Sequence, residues 1–397
     1  MHTFPSRDRV IVAGAGPVGL TAALALARAG VEVLVLEARD APDDGERLAS
    51  ASLQPATLDQ LAVLGVDRAL AALGRRVERL QWRDRTGTIH NQLHMASLAM
   101  LTDHPFRLNL DYSRLTAILL SKLARTNARI RFAAEVDGLT DAGGSVRVHA
   151  AGEWHSARYL IAADGAASRI RSMVGARPGP TGRPMRLLRL RTPTQLDELL
   201  PRLAPLTYVH DEVQPCTVQA LPGHWLVTLP IPDTTAEGPL TRAQMGALAR
   251  RAIALGPGHR LKVAHARWHS SASSLLRSYR YGHVLFAGDA AHVLPDLGDD
   301  LGLNAGLQGA VDLGRVLAAV MGAAASPAAL EDWSQRRSTS LARHLRALAG
   351  TCPNAAPTHD AALDRVRAMN SDRDAGHAWL TRSALLPLQP LTYARSA

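Results

Sequence analysis

Three short segments carry residues whose types and spacing can do chemistry. The first is Gly14-x-Gly16-x-x-Gly19, with Glu37 following 18 positions after Gly19. In such a turn the first glycine permits the tight bend and the second lets backbone approach a pyrophosphate. The third lets a helix pack close to the preceding strand, its N-terminus facing the phosphates. An acid at about that distance accepts hydrogen bonds from ribose hydroxyls. A glycine turn used only for packing gives no reason for Glu37. The second segment is Ala163-Asp164-Gly165-Ala-Ala-Ser168-Arg169-Ile170-Arg171. Asp-Gly after an apolar run is a common turn; Ser168 and Arg171 at fixed offsets make it more specific. The third is Leu285-Phe-Ala-Gly288-Asp289-Ala-Ala-His292-Val-Leu-Pro295. There an apolar run delivers a carboxylate beside a glycine-containing loop, ahead of a helix start at 301–304 that can stabilise negative charge forming on a ring.

These segments need strands and helices to hold them. Residues 9–13 form a short β-branched run suited to a strand buried on both faces. Residues 20–29 are strong helix formers closed by Gly30, and 31–36 read as a second strand ending at Glu37. Residues 57–65 read as a helix and 77–93 as strand-rich. Residues 113–126 form an amphipathic helix with Ser113 as its N-cap. Short strands follow at 129–136, 145–150 and 153–161. Residues 183–235 alternate strand-like runs with proline-rich loops, a second sheet rather than more β-α units. Residues 283–287 form another buried strand. From 301 to about 347 the chain is helical, interrupted near Ser326-Pro327, and the tail after Cys352 is helical but polar until Leu380. The first and last motifs lie 270 residues apart, so the domains interleave.

Composition narrows the function classes. The 397 residues are 47% hydrophobic and 20% charged, which excludes general disorder. The net charge of +10 invites a nucleic-acid reading, yet of 45 Lys and Arg only Lys122 and Lys262 are lysine. The arginines are scattered and form no run, so no basic stripe is built and no nucleic-acid partner is expected. Cys216 and Cys352 suit neither a disulfide framework nor a metal pattern, so no metal and a cytoplasmic setting are expected. The apolar run 10–27 imitates a signal peptide or membrane helix, but Gly14, Gly16, Pro17 and Gly19 break its centre, and no membrane span is expected.

Taken together, in this order and at these spacings, the three motifs resemble the FAD-dependent aromatic hydroxylases typified by para-hydroxybenzoate hydroxylase, from Arg9 to about residue 345. The resemblance implies an α/β fold: a Rossmann-like FAD-binding domain interleaved with a β-sheet substrate domain, plus C-terminal helices. The FAD-binding domain would comprise residues 1–75, 105–180 and 265–345. The substrate sheet would comprise 76–104 and 181–264, and the helical segment 346–397. One FAD would be held by Gly14, Gly16, Gly19, Glu37, Arg39, Arg47, Asp164, Asp289 and Gly302, with Asp289 near the ribityl chain and Arg47 near the pyrophosphate. NADPH or NADH would act as a transient reductant with no fold of its own. The implied reaction is flavin reduction, then oxygen activation and transfer of one oxygen atom to an aromatic ring, or insertion beside a ketone. The substrate would be a hydrophobic aromatic or polyketide-like small molecule of secondary metabolism. The cofactor does the hard chemistry, so no catalytic side chain is assigned. A monomer or a dimer suits this reading equally.

The sheet at 183–235 would form the substrate pocket, with Tyr208, His210, Trp225 and Pro295 as lining residues and Arg189, Arg191 and His224 as further polar candidates. Three departures from the family pattern stand out. The loop after Pro295 is one residue longer and carries Asp299 and Asp300; Tyr112 stands where a glutamine is usual; Gly309 stands where an acid is often found. A carboxylate facing the ring would oppose the negative charge of reduced flavin. That keeps open a redox-neutral cyclisation or rearrangement on the same fold, and, third, a binding protein that has lost FAD.

Overall fold

The computed structural model describes residues 9–42, 50–141, 143–180, 185–212, 214–231, 240–256, 258–271, 273–294, 300–351 and 359–388. Strand β1 (Arg9–Ala13) lies inside a six-stranded sheet. The strand order is Arg280–Tyr281, Val284–Phe286, Tyr159–Ala162, β1, β2 (Glu32–Leu36) and Arg129–Arg131. All neighbours run parallel except the first pair. Val10, Ile11 and Val12 are fully buried, as an uninterrupted apolar run in a sheet covered on both faces requires. The apolar run 10–27 divides into β1, the glycine turn and helix α1 (Pro17–Arg28). Among the described residues no helix is long and apolar enough to cross a membrane.

Helix α1 starts three residues before the strong helix formers at 20–29, because Pro17 at its first position has φ preset for a helix and no N–H to lose. It packs against the helix Tyr112–Leu123 and the long helix Leu301–Met321. The approach to the long helix is close: a Cβ on Gly314 would lie 2.4 Å from Ala25 Cβ. The helix expected at 113–126 begins at Tyr112, and its N-cap is Asp111 rather than Ser113. The Asp111 carboxylate does not cap the helix. It accepts from Arg191 Nη2 at 2.8 Å and lies 3.3 Å from His224 Nε2. Arg191 and His224, read from sequence as pocket candidates, are therefore joined to Asp111.

The second large sheet has seven strands in the order His265–Ser271, Met185–Thr192, His224–Ile231, Cys216–Leu221, Leu206–His210, Arg79–Asp84 and Ile89–His94. Its neighbours are antiparallel except Leu206–His210 with Arg79–Asp84. One face buries Leu188, Leu190, Val218, Trp225, Val227 and Leu229 with residues of the helix Arg242–Ala252. The other carries, near one end, Leu80, Trp82, Leu206 and Tyr208, covered by the helices His359–Ser371 and Arg373–Ser383. Trp379 meets Trp82 edge-on at 5.0 Å between ring centroids. The polar tail helices thus bury their few aromatic and aliphatic residues on this sheet.

Candidate functional site

In the six-stranded sheet β1 has β2 on one side and Tyr159–Ala162 on the other, so the strand order reverses at β1. Open α/β sheets bind ligands at such a point, outside the carboxyl ends of the strands. All three motifs arrive there. The glycine turn follows β1, Glu37 follows β2, Asp164 follows Tyr159–Ala162, and Gly288-Asp289 follows Val284–Phe286. Main-chain bonds lace these ends together: Gly14 N donates to Leu36 O at 2.7 Å, Ala163 N to Ala13 O at 2.9 Å, and Ala287 N to Ala162 O at 2.9 Å.

The strand ends open onto a cavity of about 1540 Å³. That exceeds the ~300–1,000 Å³ of a pocket for one small ligand. Gly14, Gly16, Gly19, Glu37, Arg39, Tyr112, Asp164, Asp289 and Gly302 line it, as do Arg189, Arg267, His269 and Asp300. Eight of the nine residues expected from sequence to hold the cofactor therefore line this one cavity. Arg47 and Pro295 lie outside the described residues.

The three glycines have different reasons to be glycine. Gly14 sits at φ +106°, and a Cβ there would lie 2.3 Å from Ala163 O. A Cβ on Gly19 would lie 2.0 Å from Gly14 O. Around Gly16 the nearest atom to such a Cβ is Tyr112 Oη at 3.9 Å, so that glycine faces open space. Gly16 is the N-cap of α1 and makes no side-chain cap. Its helix end is thus left for an anion, the arrangement that binds a pyrophosphate.

Glu37 is buried; its Oε2 accepts from Ala15 N at 2.5 Å and its Oε1 from Arg39 N at 3.0 Å and Arg39 Nε at 2.8 Å. Burial alone would raise the carboxyl's pKa, but these hydrogen bonds and the Arg39 charge outweigh it and hold the group below the usual range. Glu37 therefore pins the glycine turn as well as facing the cavity. Asp164 Oδ2 accepts from Ile170 N at 3.2 Å, while its buried Oδ1 finds no partner in the protein. A buried orphan acceptor on a cavity wall fits a ligand hydroxyl or N–H. Ser168 caps the short helix Arg169–Met173 through Arg171 N, and Arg171 Nη1 reaches Ala290 O at 3.2 Å, tying the second motif to the third. Asp289 is exposed within the cleft, and the protein around it raises its carboxyl pKa.

The pocket candidates divide by sheet face. Arg189, Thr228, Thr217 and Tyr208 are laterally paired and share the cavity-facing side. Tyr208 and His210 are on that side, yet neither lines the cavity. Tyr208 is buried, stacked on Trp82 at 5.2 Å, with Arg107 Nη1 3.5 Å from its hydroxyl. Trp225 projects from the opposite face into the apolar core. Sequence reasoning missed Arg267 and His269. They alternate with Ala266 and Trp268 along His265–Ser271, a period-2 signal that was available but lay beyond the stretch read as the pocket sheet.

His292 is buried off the cavity, its Nδ1 3.1 Å from Tyr279 Oη. Burial, reinforced by the Arg337 charge and opposed by a bond to the Gly302 backbone, pushes its pKa down to about 3. A neutral imidazole is no general acid at neutral pH, and the contacts His292 makes are with Tyr279 and the backbone of Gly302. The unfolded chain, with an ordinary histidine pKa near 6.5, binds this proton first. Stability is therefore expected to fall as pH drops from about 6.5 toward 3, by up to about 1.4 kcal/mol per pH unit from this group. Urea midpoints measured between pH 7 and 4 should show a shallower acid slope in His292→Gln; an unchanged slope removes His292 from the account.

The family model described as "FAD binding domain" matches residues 7–347. Para-nitrophenol 4-monooxygenase of Pseudomonas sp. (strain WBC-3) is 28% identical over 340 residues, 82% of this chain and 82% of that protein. Dialkyldecalin synthase of Streptomyces rugosporus is 28% identical over 353 residues, 85% of this chain and 70% of that protein. Among solved structures, p-nitrophenol 4-monooxygenase from Pseudomonas putida DLL-E4 shares the fold with a TM-score of 0.85 at 23% identity, covering 97% of this chain and 99% of that one.

Proposed function

The chain belongs to the FAD binding domain family of flavin-dependent oxidoreductases, and from that premise we propose that it is a monooxygenase that uses NAD(P)H and O2 to oxidise a hydrophobic aromatic or polyketide-like small molecule. The observation that carries the reading is the meeting of three motifs at one strand-order reversal, around an uncapped helix end and the orphan Asp164 Oδ1. Gly14, Gly16 and the start of α1 would hold the pyrophosphate. Glu37 and Arg39 would meet the adenosine ribose, with Arg47 near the pyrophosphate. Asp164 and Asp289 would accept from hydroxyls of the linking chain, and Gly302 would border the ring. When bound, FAD supplies electron transfer from the nicotinamide and activation of oxygen. The protein's own task is to orient a second ligand at the stretch lined by Arg189, Arg267 and His269 and to keep bulk water out of it.

The test is direct. Purified protein should be yellow, with about one FAD per chain, and should oxidise NADPH faster when a phenolic substrate is added. Asp289→Ala should lose most of the flavin; full occupancy in that variant would remove Asp289 from the site. Yellow protein inert to NADPH with every phenol or ketone tried would favour a redox-neutral cyclisation or rearrangement. The observation behind that second reading is Asp300, a carboxylate on the cavity wall at the start of the long helix.

A further inference from the structure

The helix Leu301–Met321 directs its first turn at the cavity, where Gly302 and Leu303 form part of the wall. A helix N-terminus carries about half a positive charge and favours a group that gains negative charge beside it. Here the N-cap is Asp300, at φ 45° and ψ 39°, a left-handed conformation uncommon for any residue but glycine. Its side chain caps none of the helix's own amides. Oδ2 instead accepts from Ser52 N at 2.7 Å, on the strand Ser50–Leu53.

The surrounding bonds hold that placement. Asn304 N and Nδ2 donate to Asp300 O at 3.0 and 2.8 Å. Asn304 Nδ2 also donates to Ser52 O at 2.8 Å, and Gln54 N donates to Asn304 Oδ1 at 2.8 Å. Asp300 is 9% exposed, so its charge is only partly screened by solvent. Its counter-charge stands on the same cavity: burial lowers the pKa of the Arg189 guanidinium, and the charge opposing that shift is Asp300. On the neighbouring strand Arg267 stands directly opposite Arg189, and His269 stands opposite Leu187.

We infer that Asp300 sets the reduction potential of the flavin held in this cavity: its carboxylate cancels the positive end of the long helix, and Arg189 balances it, so the ring accepts electrons less readily than at a bare helix end. The inference rests on the flavin reading above and goes beyond it by assigning the residue pair that governs how easily the ring is reduced. The physical reason is that reduction brings a negative charge into a poorly screened site, where one carboxylate more or less is felt directly.

The experiment compares flavin-loaded wild type, Asp300→Asn, Arg189→Met and the double variant by anaerobic redox titration against reference dyes. Asn keeps an acceptor for Ser52 N–H, so Asp300→Asn removes charge while preserving the bond. Its two-electron reduction equilibrium should shift at least tenfold toward the reduced flavin, about 30 mV upward. Arg189→Met should shift the potential downward, and the double variant should lie between the two. If Asp300→Asn fails to retain flavin, the sign of the Arg189→Met shift still decides. An unchanged potential in the variants, or shifts of the same sign, overturns the inference while leaving the flavin reading intact. Wild-type protein that takes up no FAD overturns that reading, and this inference with it.

Discussion

Valine at position 16 is expected to abolish flavin binding in a protein that still folds, whereas valine at position 19 is expected to prevent folding. The two glycines lie in one turn and differ in what surrounds them. Gly16 has φ −72° and ψ 169°, an extended conformation open to any residue, and a Cβ there would meet nothing closer than Tyr112 Oη at 3.9 Å. The added side chain would enter the space where the backbone must approach a pyrophosphate. Flavin affinity should fall by two orders of magnitude or more, about 2.7 kcal/mol or greater, with the thermal midpoint of the flavin-free protein little changed. Gly19 stands against its own turn, its Cβ position 2.0 Å from Gly14 O. Both partners are backbone, so no side-chain rotation relieves the overlap. The cost should exceed about 4 kcal/mol, the range reserved for severe core disruption. Absorbance at the flavin band and thermal unfolding of both variants check the pair. A Gly16→Val protein that keeps its flavin would show that the turn does not cradle the phosphates.

The motifs were legible because each depends on neighbours in sequence. A glycine turn after a β-branched run, an acid closing the next strand and Asp-Gly after a third apolar run are local signals, and the parallel sheet then brings their ends together. The division of the large sheet into faces was not legible in the same way. Along His224–Ile231 almost every residue is buried, since both faces are covered, so apolar and polar positions do not alternate visibly. Trp225 and Tyr208 therefore looked alike, although lateral pairing sends them to opposite faces. Asp300 illustrates a further limit. Its presence in an unusual loop was plain, but whether it faced solvent or the cavity depended on Ser52, 248 residues earlier in the chain. Long-range hydrogen bonds of this kind leave no periodicity behind.

Trp225 supplies the second large effect, and its outcome separates a core residue from a pocket residue. Its side chain is fully buried in the apolar cluster that also holds Leu188, Leu190, Val227 and Leu229, with the Arg75 guanidinium over its ring, and its indole N–H finds no acceptor in the protein. Trp225→Ala should cost about 3–5 kcal/mol, the lost transfer energy together with the cavity left behind. Trp225→Phe also loses volume, but it removes the unsatisfied donor, which costs on the order of 1–3 kcal/mol where it stands. The phenylalanine variant should therefore be far closer to wild type than the alanine variant. Neither should alter the flavin spectrum or the KM for a substrate, because the sheet separates Trp225 from the face that carries Arg189. Urea unfolding with flavin absorbance and steady-state kinetics on the three proteins makes the distinction. A raised KM in a Trp225→Phe protein of unchanged stability would return this residue to the substrate pocket and reverse the facing of the sheet. A large stability loss confined to Trp225→Ala fits only a tryptophan that holds the far side of the sheet together.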